Sequence, residues 1–288
     1  MKNKLSFILF LTILFSVSYA SYGQQLWQKQ DKENSTIQKK ATFQKKNFPS
    51  NYEIVTLNSG VFEDRLNRKS ASLTTFIELP NADGSLSKFS IQENSNFDAK
   101  LQAKFPNVKS YTAKGIDDTS ANAKISFGTD GFHAVIYSES KETVYIDPYT
   151  RDKKEYIIYK KSSLNEVHLN FQCEVEEAAS KELSLTDFSK NFNDGQLRTY
   201  RLALACSGEY AQFHLGASQQ NIATSASDQV KKAAVLSAMN TSLTRLNGVF
   251  ERELSVKFEL VSNNEDIIFL DAATDGMTDD DPDELINE

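Results

Sequence analysis

Apolar and polar positions alternate with a period of two through most of residues 52–161, the signature of strands that bury one face. Residues 72–79 and 86–92 read as two strands joined by the turn Asn81-Ala82-Asp83-Gly84. Residues 123–127 and 132–137 form a second hairpin across Thr129-Asp130-Gly131, where glycine supplies the positive φ that such a turn needs. Residues 143–146 and 156–159 form a third around Asp147-Pro148-Tyr149. One short helix is expected here, over 98–105, ended by Pro106. Six or more short strands with polar turns predict an antiparallel sheet or sandwich.

The pattern is lost over 178–197, which is small, polar and charged, and that stretch reads as a linker accessible to proteases. Alternation resumes over 198–206, with Tyr200, Leu202, Leu204 and Cys206 on one strongly apolar face. Residues 216–226 read as a loop. Ser227-Asp228 then signals a helix N-cap. Val235, Met239, Leu243, Leu246 and Phe250 follow at helical spacing, an apolar stripe facing a core. Asn247-Gly248 is expected to loosen the end of that helix. Leu254, Val256, Phe258 and Leu260 alternate again, and 267–270 can add a short third strand. Two strands joined through a helix this long form a crossover unit, so they are expected to be parallel.

Ahead of all this, Lys2 and Lys4 precede a 13-residue apolar run and the small residues Ser18 and Ala20. These are the parts of a secretory signal peptide over 1–20, with cleavage after Ala20 or Gly23. The run is short for a membrane span, so the mature chain is expected to be secreted and to have no membrane partner. Residues 21–50, lysine-rich and polar, read as a flexible lead-in. A β-rich unit over 51–177, the linker over 178–197 and a strand–helix–strand unit over 198–288 complete the expected division. The fold class expected is α+β.

Composition narrows the function. The 288 residues carry a formal net charge of −7, which makes nucleic acid an improbable partner. Eight acids and no base lie in the last eighteen residues, which therefore account for all of the net negative charge. The three histidines, His133, His168 and His214, are too far apart in sequence to form H-E-x-x-H. There is no C-x-x-C, no G-x-S-x-G and no phosphate-binding glycine loop. His133, inside a strand pattern, reads as structural. Asp279, Asp280, Asp281, Asp283 and Glu284 lack the alternation of a calcium loop.

Several segments resemble one family. TYRLALACSGEYAQFH at 199–214, KKAAVLSAMNTSLTRLNGVFERELSVKFELV at 231–261 and IIFLDAATD at 267–275 resemble the start of the catalytic domain of secreted bacterial reprolysin-like metallopeptidases, which are metzincins. KFPNVKSYTAKGIDD at 104–118, GFHAVIYS at 131–138 and VYIDPYT at 144–150 resemble the propeptide of those enzymes. The resemblance implies a β-rich antiparallel propeptide domain followed by an incomplete α/β zincin-like domain. In full-length members zinc is the cofactor, and proteins or peptides are the substrates. The family's zinc helix, H-E-x-x-H-x-x-G-x-x-H, has no counterpart here. No catalytic or metal-binding residue can therefore be carried over, no cofactor is expected to bind this chain, and the chain is expected to be an inactive N-terminal fragment of a precursor.

Two further expectations follow from that resemblance. Cys173 is a candidate zymogen switch, because a propeptide thiolate can occupy the zinc position where water must be activated. The other readings of Cys173 are a buried thiol and a bond to Cys206. Asp194, Gly195, Gln196, Leu197 and Arg198 form a candidate activation cleavage region. The alternative function is a secreted binding protein that inhibits, or assists the folding of, a related peptidase in trans. The unit over 198–288 is expected to be marginally stable unless the first unit covers it.

Overall fold

The computed structural model describes residues 25–30, 42–43, 47–67, 74–164 and 195–277. The signal segment 1–20, Cys173, Asp194 and the acidic stretch 278–288 lie outside them. The chain is mixed α and β, as expected, and its dominant element is one antiparallel sheet of nine strands. The strands are β1 (Trp27–Gln30), β2 (Glu53–Leu57), β3 (Thr75–Pro80), β4 (Leu86–Glu93), β5 (Lys109–Gly115), β6 (Asn122–Gly128), β7 (Gly131–Tyr137), β8 (Val144–Pro148) and β9 (Glu155–Lys160). Their spatial order is β1-β2-β9-β8-β7-β6-β5-β4-β3.

All three hairpins form, with Gly84 at φ 82° and Gly131 at φ 108° in the first two turns, but Asp147 and Pro148, expected in the third turn, extend β8 and pair with Ile157 and Tyr156. The sheet is not a sandwich. It curls into a half-barrel that brings its two edge strands together, and the Trp27 indole N–H on β1 donates to the Glu78 carbonyl on β3 at 2.8 Å. Curling lets one sheet enclose its own core, because residues of the same parity on every strand point inward. Ile77, Phe89, Tyr111, Ala123, Ile125, Phe132, Ile146 and Ile158 all belong to that enclosed cluster.

Two findings depart from the sequence reading of this half. The lead-in is not flexible throughout: it supplies β1, and Leu26 and Trp27 are buried in the barrel core. Trp27 packs edge-to-face on Phe132 and Tyr156. An aromatic anchor in a polar segment can be enough to order it when a hydrophobic site awaits. The second departure is a helix, α1 (Ser59–Asn67), where none was expected. Asn58 caps it by accepting from the Val61 N–H, and Phe62, fully buried, fills the barrel interior against Tyr111, Phe127 and Phe132. Nine residues with a weak apolar pattern give little periodic signal, so this helix owes its stability to tertiary packing.

The expected short helix is α2 (Ala99–Lys104), capped by the Asp98 carboxylate. The second unit contains β10 (Arg198–Leu202), α3 (Gly208–Leu215), α4 (Asp228–Leu254) and β11 (Val256–Leu260). Strands β10 and β11 are parallel, as the crossover rule required. Ser227 caps α4, as its sequence signalled. Residues 207–215, unassigned from sequence, form α3.

Three details of the second unit differ from expectation. Strand β10 ends at Leu202, short of Cys206, and its apolar side is open: Tyr200 is 52% exposed. Residues 267–270 add no full strand, only a bridge between Cys206 and Ile268. Asn247-Gly248 does not loosen α4, which continues to Leu254. Asn247 is buried there, and the missing side chain at Gly248 admits the Tyr137 ring, whose hydroxyl would lie 2.9 Å from a Cβ.

The core of the second unit is shared with the first. Val235, Leu236, Met239, Leu243, Leu260 and Ile268 pack with Phe97, Leu101, Phe105 and Val108, which come from the α2 segment. Residues 96–98 also extend the small sheet: Leu260 N–H donates to the Asn96 carbonyl, and Asp98 N–H to the Leu260 carbonyl. The boundary at the linker is therefore real in sequence but not in packing.

Candidate functional site

Helix α4 has two buried faces. Val235, Met239 and Leu243 of its apolar stripe enter the shared core, whereas Leu246 is 39% exposed and Phe250 packs on Phe258. Its other stripe, Ser237, Asn240, Thr241, Thr244, Asn247 and Glu251, lies on the outer face of the half-barrel, mainly along β6. Outward residues of an antiparallel sheet are ordinarily solvated. Here the outward residues Ser126, Lys124 and Asp130 are buried under α4. The resulting seam is polar, and most of its buried groups find partners, which is what makes such burial tolerable. His133 Nε2, Arg245 Nε and Glu251 Oε1 make no hydrogen bond.

One end of the seam is an amide cluster. Asn96 Nδ2 donates to Asn240 Oδ1 at 2.9 Å and to Thr244 Oγ1 at 2.8 Å. Asn247 Nδ2 donates to Asn96 Oδ1 at 3.0 Å and to the Phe258 carbonyl at 2.9 Å, while Asn247 Oδ1 accepts from the Phe258 N–H at 2.8 Å. Asn240 Nδ2 reaches the Lys109 carbonyl at 3.0 Å. Farther along α4, the Lys124 ammonium pairs with Glu251 and donates to Thr112 Oγ1 at 3.1 Å.

The other end is a charged cluster centred on His133 of β7. Its Nδ1 lies 2.7 Å from Asp147 Oδ1 on β8. Its Nε2 lies 3.2 Å from Asp130 Oδ2 in the β6–β7 turn, within ion-pair reach but off the line of a hydrogen bond. Asp147 also accepts from the Tyr159 hydroxyl at 2.6 Å and pairs with Arg245 of α4. Asp130 accepts from Thr241 Oγ1 at 2.7 Å and from the Ser237 hydroxyl. Gly128, next to this turn, has no room for a side chain: a Cβ would lie 2.1 Å from Ser237 Oγ.

The electrostatics follow from that geometry. Burial alone would lower the pKa of His133, but Asp130 and Asp147 outweigh it and hold the imidazole above its ordinary value. Burial would raise Asp130, and the His133 charge with the hydroxyl hydrogen bonds overcomes it, so its carboxyl stays below the usual range. Burial pushes the Tyr159 hydroxyl up, and the Asp147 charge adds to it. A cavity of about 210 Å³ opens beside the cluster, and His214 of α3 lines it, its pKa lowered by burial.

Both ring nitrogens of His133 face carboxylates. Nucleophilic catalysis needs a hydroxyl hydrogen-bonded to the imidazole base. The Ser237 and Thr241 hydroxyls donate to Asp130 and the Tyr159 hydroxyl to Asp147. Among the described residues no group of three or more His, Cys, Asp or Glu could hold a metal ion. His133, read from sequence as structural, lies between two carboxylates. Cys206 is buried in the shared core, its thiol 3.3 Å from the Ser207 carbonyl. Gly195, Gln196, Leu197 and Arg198 are all exposed, and Arg198 opens β10.

The seam itself was missed from sequence. A signal was present: the stripe Ser237, Asn240, Thr241, Thr244 and Asn247 is uncharged. Solvent-facing helix positions are usually filled by better helix formers such as Lys and Glu. No protein-family model matches this chain, and no curated protein matches it. No helix among the described residues is long and apolar enough to cross a membrane.

Proposed function

We propose that the chain is part of a secreted precursor of a reprolysin-like zinc metallopeptidase. It would comprise a signal peptide over 1–20, a β-rich propeptide and the opening part of the catalytic domain. The observation that carries this reading is the parallel β10–α4–β11 unit, built from the residues that resemble the start of such a domain. Two further observations support it. The half-barrel covers α4, and the α2 segment completes the core of the second unit, as a propeptide covers its enzyme. The connecting segment ends in exposed residues at 195–198, where processing would cut.

In full-length relatives of this kind the zinc ion supplies the activated water. Nothing in this chain is assigned to hold it, and its own residues are given no catalytic step. Cys173, outside the described residues, stays a candidate switch on the same reading.

The test uses the purified chain. We expect less than 0.1 zinc per chain, on the order of adventitious binding at a site without a ligand set, and no hydrolysis of casein or gelatin. One zinc per chain together with turnover would overturn the assignment of inactivity. Cleavage of the secreted protein confined to 165–198 by added trypsin would support the propeptide reading, and cutting spread evenly through 53–160 would count against it.

A further inference from the structure

Residues 165–197 join the two units in sequence, but a finger of the half-barrel joins them in space. The finger is the excursion between β4 and β5, residues 94–108, and it carries α2. Among the described residues, every contribution of the first unit to the shared core comes from it: Phe97, Leu101, Phe105 and Val108, all buried. Its backbone also takes the edge of β11 that β10 leaves free. Phe97 bridges Leu260 in parallel sense, with backbone bonds of 2.8 and 2.9 Å from Leu260 to Asn96 and from Asp98 to Leu260. The buried Lys257 ammonium of β11 donates to Asn94 Oδ1 and to the Ser95 carbonyl, both at 2.7 Å. This is strand addition, in which main-chain bonds set the register and apolar side chains fill the adjoining core.

The finger holds its shape through bonds made within the first unit. Gln102 Nε2 donates to the Phe105 carbonyl at 3.1 Å and to the Val108 carbonyl at 2.9 Å, and Ser95 Oγ donates to Gln102 Oε1 at 2.7 Å. Ser110 Oγ of β5 donates to the Asn94 carbonyl at 2.9 Å and accepts from the Asn96 N–H at 3.0 Å. A preformed element loses little conformational freedom on docking. The polar seam along α4 contributes differently. Its groups regain water when the surfaces part, so it fixes register more than it supplies affinity. Apolar burial drives association, and in the shared core that burial is the finger's.

We propose that residues 94–108 are the docking element that holds the two units together, and that their partner, the β10–α4–β11 unit, stays bound when the connecting segment is cut. Cleavage within 165–197 then yields one noncovalent body, and release takes a second event at the finger. The proposal rests on packing and is independent of the precursor reading. Under that reading, it makes cleavage of the connecting segment insufficient for release.

The covalent connection raises the effective concentration of one unit about the other to the order of millimolar. After a cut, assembly at about 1 µM requires a Kd below that value. The test places a recognition sequence for a site-specific protease between Lys181 and Lys190 of the full chain. After complete cleavage, size-exclusion chromatography and native mass spectrometry at about 1 µM are expected to show one species with the mass of both fragments. Leu101→Ala and Phe97→Ala should raise the Kd about thirtyfold or more, the factor carried by truncation of a buried apolar side chain. Arg151→Ala removes an exposed bond to the Ala217 carbonyl, a contact between the units outside the finger, and should change the Kd by less than about threefold. Uncut Leu101→Ala should keep its far-UV circular dichroism, because the connection makes up for the lost affinity. Separation of the wild-type fragments at about 1 µM overturns the proposal. So does a cut Leu101→Ala chain that holds together as tightly as the wild type. If the variants do not fold uncut, salt decides on the wild-type fragments. Docking by the apolar finger should change little in about 0.5 M sodium chloride, and a weakening of about tenfold would place the affinity in the ion pairs of the seam instead.

Discussion

Asn247 shows how one side chain can join three elements. From the middle of α4 it pairs with both backbone groups of Phe258 on β11 and with Asn96 ahead of α2. Its two amide donors and its carbonyl oxygen are thus used inside a fully packed site, where it is 1% exposed. Asn247→Ala leaves the Phe258 N–H and carbonyl and the Asn96 oxygen without these partners. The expected loss is about 2–4 kcal/mol, since each buried orphan costs on the order of 1–3 kcal/mol and small shifts recover part. Urea unfolding of wild type and variant measures it, and a loss under about 1 kcal/mol would show that the amide cluster is dispensable. The asparagine could be seen in the sequence, but its three partners could not, because they lie 11 and 151 positions away.

At the scale of elements, α4 is the organising piece. Its caps and its apolar period were legible because both are local: Ser227 accepts from the Val230 N–H, and Val235, Met239 and Leu243 recur every fourth residue. Its second buried face was not legible, because a polar stripe reads as solvent until a polar partner surface is placed against it. The same holds for α2, whose Leu101 and Phe105 serve the core of the other unit. It follows that residues 198–288 cannot close their core alone. The isolated segment is expected to show helical far-UV circular dichroism, dye binding to exposed apolar surface and no cooperative thermal transition. Addition of residues 25–164 in trans, which include β1 and Trp27, should restore a transition. A cooperative transition of the isolated segment would refute the shared core.

At the scale of the whole molecule, closure of the half-barrel depends on Trp27. It is the only tryptophan of the chain, it is 3% exposed, and it ties the first strand of the sheet order to the last. Trp27→Ala removes its edge-to-face contacts with Phe132 and Tyr156 and the bond to Glu78, and is expected to cost about 3–5 kcal/mol. Trp27→Phe retains the ring contacts and loses the bond, so it should cost clearly less. Equal losses in the two variants, measured by circular dichroism, would show that the indole bond and not the aromatic packing carries the closure.

By itself the sequence determined whatever depends on neighbours a few residues apart. The hairpins, the glycine turns of the first two, the existence of α2, the cap of α4 and the parallel sense of β10 and β11 all follow from local steric preference, periodicity and connection length. Tertiary structure alone decided that the sheet curls on itself, that α1 and the lead-in strand fill it, and that two sets of polar residues bury each other along α4. The physical reason is range. A hydrophobic period is written along the chain, whereas a polar residue gains its reason to be buried only from a partner that folding brings to it.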